Sequence, residues 1–490
     1  MITTEDEKIV DEVLEEFAEL AKIPRPSLHE KAVSDYLLGV FRRLGCDVHQ
    51  DAANNIVADR AASDGFETAP RVILQAHMDM VCVAAEGVPY EPMRDPIRLR
   101  RKGNELTAEG TSLGADDGAG IAMILYVFRH AINVGPLRAI ITTDEETGMT
   151  GAQALDGKYL ADAEYLINWD SEDYDELTRG CAGSVGVEFC RKADWRKPPE
   201  GCAWRVSVGG LLGGHSGERI GDGRGNALRI LAQTLHALKK AGVSFSVASL
   251  TGGSARNAIA AKAEAVIVTR AETEELRRAI SDAERRARLA LGEDEQRMMI
   301  ALAEAQPPAR VMSEADASAI LDALMLLHTG IFQMSSALPE LVETSANLGL
   351  LRTEENEVWF SYFARSSIDE KIAEIAENCH ILSTRLGLDV RVDTPSPGWR
   401  ERKKSALADA MAAIFEEQNH KPMKVGVIHA GLECGWHAHK APHLDMASVG
   451  PTNRDIHSPS ERLDLTTVAP QVRLVMETLR RIARGECSVK

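Results

Sequence analysis

Between residues 46 and 170 the chain alternates short apolar runs with helical patterns, and an acid or a histidine stands where a run stops or a tight turn begins. His77 and Asp79 end Arg71-Val-Ile-Leu-Gln-Ala-His77-Met-Asp79. Asp116 lies in Gly114-Ala-Asp116-Asp117-Gly118, just ahead of the apolar helical pattern Ala119 to Phe128. Glu145 and Glu146 follow Leu137-Arg-Ala-Ile-Ile-Thr-Thr-Asp144, Asp170 ends Tyr165-Leu-Ile-Asn-Trp-Asp170, and His457 stands far downstream. Strands alternating with helices imply an α/β fold: a mostly parallel sheet with helices on both faces. Open sheets of that kind carry their sites outside the carboxyl ends of the strands. Hard oxygen donors mixed with imidazoles suit zinc, manganese or cobalt, and two metals sharing one carboxylate are compatible with the set.

The alternation does not run through all 490 residues, which are too many for one core. Residues 7–22 read as an amphipathic helix, with Ile9, Val13, Phe17 and Leu20 at helical spacing and Pro24 and Pro26 beyond it. A second helix is expected from Glu30 to Leu44. Near 183–200 the pattern changes, and Lys192 to Gly201 is polar and holds Pro198-Pro199. From 203 to about 395 the order becomes strand, helix, strand, strand, helix, which reads as an α+β domain. Examples are Trp204–Val208, Asn226–Lys240, Ala263–Thr269, Glu272–Leu291, Val358–Phe363 and Ile368–Leu386. After Pro395-Ser-Pro397-Gly398 the helix–strand–helix character returns over 403–490. The middle segment is therefore read as an insertion: a catalytic domain of 1–188 and 398–490, and an inserted domain of 189–397. The insertion also hints at a duplication, since Ser254-Ala-Arg-Asn257, a strand and an acidic helix are echoed by Thr344-Ser-Ala-Asn347, a strand and the helix after Ser366.

Taken singly, each candidate has a plain alternative. Residues i and i+2 of a strand share a side, so Asp79 can orient His77 as metal-bound imidazoles usually require; a hydrogen-bonded histidine at a strand end explains the pair as well. Asp116 alone could be an N-cap. Glu145 and Glu146 could lie in a solvated loop, or one could bind metal while its neighbour acts as general base. His437-Ala-His439 and His443 read as a solvated loop, with no acids in matching order to make a third metal site. The charged helix Glu272 to Arg288 reads as a solvated face.

As a series, these stretches resemble the M20 family of metallopeptidases and, within it, the aminoacyl-histidine (Xaa-His) dipeptidase group. The resemblance rests on Ile23-Pro-Arg-Pro-Ser27, the segments around His77, Asp116, Glu145 and Asp170, Gly180-Cys-Ala-Gly183, Gly213-Gly-His215-Ser-Gly217, Arg256-Asn257-Ala-Ile259, His429-Ala-Gly-Leu-Glu-Cys-Gly435 and Gly450-Pro-Thr to His457-Ser-Pro459. It covers essentially the whole chain in order. It implies that Asp116 bridges two divalent metal ions, with His77 and Asp170 completing one site and Glu146 and His457 the other. It further implies that Asp79 orients His77, that Glu145 is the general base, and that His215, on an inserted lid, polarises the scissile carbonyl. Asn257 and Arg365, in Phe363-Ala-Arg365-Ser-Ser, become candidates for the substrate carboxylate, which suits the bidentate fork of an arginine. Two departures stand out. Asp117 occupies a position where relatives commonly carry Asn, and Asn453-Arg-Asp-Ile456 is a charged version of a segment expected to be small.

The expected activity is that of a di-metal dipeptidase cleaving short peptides, Xaa-His dipeptides such as carnosine first, with zinc as first choice of metal. Rival readings are a broader aminopeptidase, an amidohydrolase of N-acyl amino acids, or a metal-free binding protein on the same fold. The 56 basic against 74 acidic side chains, net −18, argue against nucleic acid or an anionic membrane as partner. The acidic N-terminus lacks the marks of a signal peptide, no apolar run approaches the roughly 20 residues of a membrane span, and the eight scattered cysteines form no CxxC. A cytoplasmic protein with reduced thiols, a small peptide substrate and a homodimeric assembly is expected.

Overall fold

The computed structural model describes residues 4–336 and 338–487. The chain divides into two compact units: Met1–Cys181, Trp399–Val427 and Leu432–Lys490 form the first, Ala182–Gly398 and Ile428–Gly431 the second. The strand Gly183–Lys192 spans the expected 188/189 boundary and is paired along its length with Glu357–Ser366 of the second unit. The four residues 428–431 have no counterpart in the expected domain limits.

The first unit is built on an eight-stranded sheet. Its centre is parallel: Leu137–Thr142 beside Val72–His77, then Tyr165–Asn168, then Asp445–Ser448. All residues of these four strands are buried, and this explains why they are mostly apolar without a period of two, since a strand covered on both faces has no polar side to show. The flanking strands Asp47–Gln50 and Ile56–Arg60 join antiparallel. Helices Thr4–Ala21, Lys31–Arg43 and Ala115–His130 lie close to their expected positions and feed Val13, Phe17, Leu37, Ile121, Leu125 and Phe128 into the core. A separate four-stranded sheet combines Leu99–Lys102 and Glu105–Ala108 with the hairpin strands Asn453–Arg454 and Arg462–Asp464.

The second unit is an antiparallel sheet of nine strands with helices, in keeping with the α+β reading. Eight of its strands form two βαββαβ halves, and the ninth, Gly330–Met334, pairs at the side of Val342–Thr353. One runs Cys202–Gly209, Ala227–Lys240, Phe245–Gly252, Ala263–Thr269, Thr273–Ala290, Met299–Glu304; the other runs Gly183–Lys192, Glu314–Leu326, Val342–Thr353, Glu357–Ser366, Asp369–Leu386, Asp389–Val392. Within each half the strands lie in the order fourth, first, third, second, and the two halves meet second strand to second strand at Gly252 and Leu351. The first half is inserted between the opening strand and opening helix of the other. The duplication is thus present in topology, but the echoed motifs do not carry it: Ser254–Asn257 forms a turn, whereas Thr344–Asn347 lies inside a strand.

Candidate metal centre and candidate anion site

In the first unit the sequence candidates converge beyond the parallel strands. His77 ends its strand, and Asp79 follows two residues on. Glu145 opens a one-turn helix entered through Asp144, whose φ of 53° turns the chain sharply. Asp170 stands two residues beyond Tyr165–Asn168. His457 sits in the loop of the 453–464 hairpin, with φ 57°. Asp116 and Asp117, joined by a cis peptide, break the helical angles at the start of Ala115–His130.

The two oxygens of Asp116 face two histidines. Oδ1 is 3.0 Å from His77 Nε2 and Oδ2 is 3.2 Å from His457 Nε2. His77 Nε2 is also 3.6 Å from Asp170 Oδ1, and His457 Nε2 is 2.8 Å from Glu146 Oε2. Two groups result, His77–Asp116–Asp170 and Asp116–Glu146–His457, each with one imidazole and two carboxylates whose donor atoms lie within 4.8 Å of one another. His77 Nδ1 is 3.3 Å from Asp79 Oδ1 on its other side. His77 with Glu145 and Glu146, and Glu30 with Asp79 and Asp144, also approach this closely. The last group is taken up by the fold: Glu30 accepts from Leu28 and Asp144 N–H, and Asp79 from Ser27 and from Glu145 and Glu146 N–H.

Protonation shows what the donor set lacks. Burial would lower the His77 pKa, yet Asp116, Asp170 and Asp79 raise it well above the imidazole range. His457 is likewise pushed up to about 11, Asp116 and Glu146 outweighing burial. Asp170 is raised to about 7 by burial, with Asp116 and Glu146 adding and His77 opposing. Burial pushes Glu145 well above the carboxylate range, and Asp170, Glu146 and Glu433 push the same way. These directions reflect carboxylates crowded around two imidazoles with no cation among them. Divalent ions fit this cluster, in charge and in donor type.

The structure also identifies groups that the sequence reading passed over. Arg25, fully buried, donates to the carbonyls of Met78 and Asp79 at 3.0 Å each and to that of Gly114 at 2.5 Å. Gly114 has φ 70°, and a Cβ there would lie 2.6 Å from that guanidinium. Glu433, fully buried, accepts from Gln75 and Thr142, and Gln75 in turn accepts from Asn168. This polar layer crosses the strand ends one step below His77 and Asp170. Burial raises Glu433 to about 8. Arg25 and Glu433 both stand in motifs that carried the family resemblance, and that was their only signal. Asp117, buried beside Asp170 and Asp116, is driven toward its neutral form, which resembles the amide expected there. Arg454 pairs with Asp173 and Asp455 with Arg462, so the unexpected charges of 453–456 fasten their own loop.

The histidine tract departs from expectation. Cys434–Lys440 is a helix, not a loop, and His437 is fully buried with neither ring nitrogen hydrogen-bonded among the described residues. Burial drops its pKa to about 3, so it is a neutral core residue. His439 is exposed and His443 reaches the Ala163 carbonyl at 3.1 Å. Among the described residues none of the three joins a group able to hold a metal.

The remaining candidates gather in the second unit. A short ladder pairs Gly214–His215 with Ala258–Ile259, and Ser216 N–H donates to the Asn257 carbonyl at 2.8 Å, which sets His215 beside Asn257. Arg365, in register with Ser345, is buried. Its guanidinium lies 4.9 Å over the Phe363 ring, and Arg256 lies 5.3 Å over the same ring. Burial and then Arg256 lower the Arg365 pKa to about 10, and its Nε has no hydrogen-bond partner among the described residues. His429 Nε2 meets Ser345 Oγ at 2.7 Å, and burial followed by Arg365 lowers its pKa to about 4. His215 is lowered by the same two causes with Glu218 opposing, and its Nδ1, 3.7 Å from Glu218 Oε1, has no hydrogen bond among the described residues. A buried, incompletely satisfied cation flanked by neutral imidazoles suits an anion.

A cluster of histidines and carboxylates able to hold metal at the ends of a parallel sheet, joined in sequence to a duplicated α+β unit, is compatible with a metallopeptidase. Residues 73–481 match peptidase family M20/M25/M40. The chain is 31% identical over 471 residues to the cytosol non-specific dipeptidase of Escherichia coli K12, covering 95% of this chain and 96% of that one. The crystal structure of aminoacylhistidine dipeptidase from Vibrio alginolyticus superposes with a TM-score of 0.87 at 31% identity, covering 98% and 97% of the two chains. An aminopeptidase from Bacillus cereus shares the fold, with a TM-score of 0.56 at 17% identity and 97% and 99% coverage. The chain belongs to peptidase family M20/M25/M40 and is a peptide-bond hydrolase. Among the described residues no helix is long and apolar enough to cross a membrane.

Proposed function

We propose that the protein is a cytoplasmic dipeptidase with two divalent metal ions, zinc first and manganese or cobalt as alternatives, acting on short peptides that include Xaa-His dipeptides. The observation that carries this reading is the division of Asp116 between two histidine–carboxylate groups. The dipeptidases of E. coli and V. alginolyticus support the substrate class. His77, Asp116 and Asp170 would hold one ion, and Asp116, Glu146 and His457 the other. Bound there, the ions would act as Lewis acids on the peptide carbonyl and ease deprotonation of the attacking water.

The chain's own groups supply the rest. Asp79, whose Oδ1 lies 3.3 Å from His77 Nδ1, would orient the ring. Glu145 takes a proton from the attacking water onto a carboxylate oxygen and returns it to the departing amine. His215, held neutral by its surroundings, donates an N–H to the developing oxyanion. Arg365, with Asn257, takes the substrate's terminal carboxylate, and this selects short peptides with a free C-terminus.

The test is a panel of dipeptides, including β-alanyl-histidine, alongside tripeptides and N-acyl amino acids, run on metal-free protein reloaded with zinc, manganese or cobalt. Metal-dependent turnover of dipeptides is expected. Preference for N-acyl amino acids would replace this reading with an amidohydrolase, and full activity with at most one bound metal would end the two-ion scheme.

A further inference from the structure

We propose that Glu461 is the positioning residue of the two-metal centre, fixing Asp116 against His457 so that the second ion can bind; this rests on the ligand assignment above. The Glu461 side chain is 2% exposed. Its Oε2 accepts the N–H groups of Leu113 and Gly114 at 2.7 and 2.9 Å. Its Oε1 accepts those of Ala115 and Asp116 at 2.9 and 3.3 Å, and the Asn453 amide at 3.2 Å. A carboxylate offers about four lone-pair sites, so this one is saturated, almost entirely by four successive amides of the loop that ends in Asp116.

Glu461 is also four residues beyond His457 in the same hairpin loop. One end of the tie is therefore the chain that bears His457, and the other is the backbone that bears Asp116. From the opposite side, Arg25 holds the Gly114 carbonyl of that loop and the Met78 and Asp79 carbonyls beyond His77. An anion grips the loop's donors and a cation its acceptor. The two metal groups depend on this tie unequally. His77 is held by its strand and Asp170 stands two residues beyond another, whereas Asp116, at the irregular start of Ala115–His130, and His457, in the hairpin loop, are joined through Glu461. A glutamine at 461 keeps the length but turns an NH₂ toward backbone N–H groups, leaving buried donors facing donors.

The experiment is titration of metal-free protein with cobalt(II), following the visible absorption of each equivalent and the magnetic coupling between two ions that share a carboxylate. The parent should bind two equivalents, and Asp116→Ala neither normally; if the parent does not take up two, the ligand assignment fails and not the role of Glu461. Glu461→Gln should bind the first equivalent with parent affinity and the second about 10–100-fold more weakly, with the coupled signal lost at one added equivalent per site. Asn453→Ala, which removes one donor and leaves the carboxylate, is the milder variant, with a threefold or greater weakening confined to the second equivalent. It decides the matter if Glu461→Gln does not fold. A merely structural role would lower the melting temperature of the metal-free protein and leave both affinities of the folded fraction alone. Parent-like second-equivalent affinity, within twofold, in the folded variant overturns the proposal.

Discussion

Two imidazoles of the first unit, His77 and His457, are pushed to higher pKa, while two of the second, His215 and His429, are pushed down. The side chains are chemically identical, and burial lowers each of them, even His457, whose side chain is 43% exposed. What differs is the company. Asp79, Asp116, Glu146 and Asp170 surround the first pair, whereas the charge of Arg365 acts on both members of the second and is only partly opposed at His215 by Glu218, 3.7 Å away. The first unit has assembled a cluster short of positive charge and the second one short of negative charge. The difference teaches that identical side chains can carry opposite titration directions because of the charges around them, which is the contrast the proposed metal and carboxylate roles rest on.

Removing the residue that both metal groups share should break the first cluster most completely. Asp116→Ala is expected to abolish binding of both ions and bring turnover below detection, checked by elemental analysis beside kinetics. Glu145→Gln should keep both ions and lower kcat by about 10²–10⁴-fold, because the amide keeps the shape and cannot take the proton. Metal loss in that variant would exchange the roles of Glu145 and Glu146. In the second unit, His215→Ala should lower kcat by about 10²–10³-fold, the usual worth of one oxyanion donor, with metal content unchanged. A variant that also loses metal would place His215 among the ligands and collapse the contrast.

The sequence made the first cluster far more legible than its supports. Parallel strands buried on both faces announce themselves as mostly apolar runs without alternation, and their ends mark where His77, Glu145, Glu146 and Asp170 lie. Arg25, Glu433 and Glu461 carry no such signal. Their partners are chiefly backbone groups and side chains distant in sequence, and a lone charge in a loop reads the same whether it is solvated or buried. His437 misled for the same reason: a short tract of histidines has a composition but too little length for a period. In the second unit the helices and strands followed their periodicity, while the four-residue excursion 428–431 that brings His429 to Ser345 left no trace in composition.

Arg365 sharpens the contrast at intermediate size. Arg365→Met keeps most of the packing against Phe363 and removes the charge. It should raise KM for dipeptides by about 10–100-fold, corresponding to about 1.5–3 kcal/mol for a hydrogen-bonded ion pair, with little change for substrates whose C-terminus is amidated. An equal loss for both substrates would mean that the guanidinium is not reading a carboxylate.

The smallest effect concerns stability. His429 titrates near 6.5 when unfolded and at about 4 in the folded chain, because burial and then Arg365 disfavour its charged form. Between those values the unfolded state binds more protons than the folded one, so stability rises with pH. The contribution is complete above pH about 6.5 and is lost as pH falls toward 4, amounting to about 1–3 kcal/mol for a group that is only partly buried. Urea unfolding of the metal-free protein across this window should show a shallower acid loss for His429→Gln, whose amide can still meet Ser345. Arg365→Met should move the His429 titration, followed by proton NMR of the ring, part of the way back toward 6.5 and no further, since burial remains. If that titration does not move, Arg365 and His429 do not share a field, and the cationic character of the second cluster rests on Arg365 and Arg256 alone.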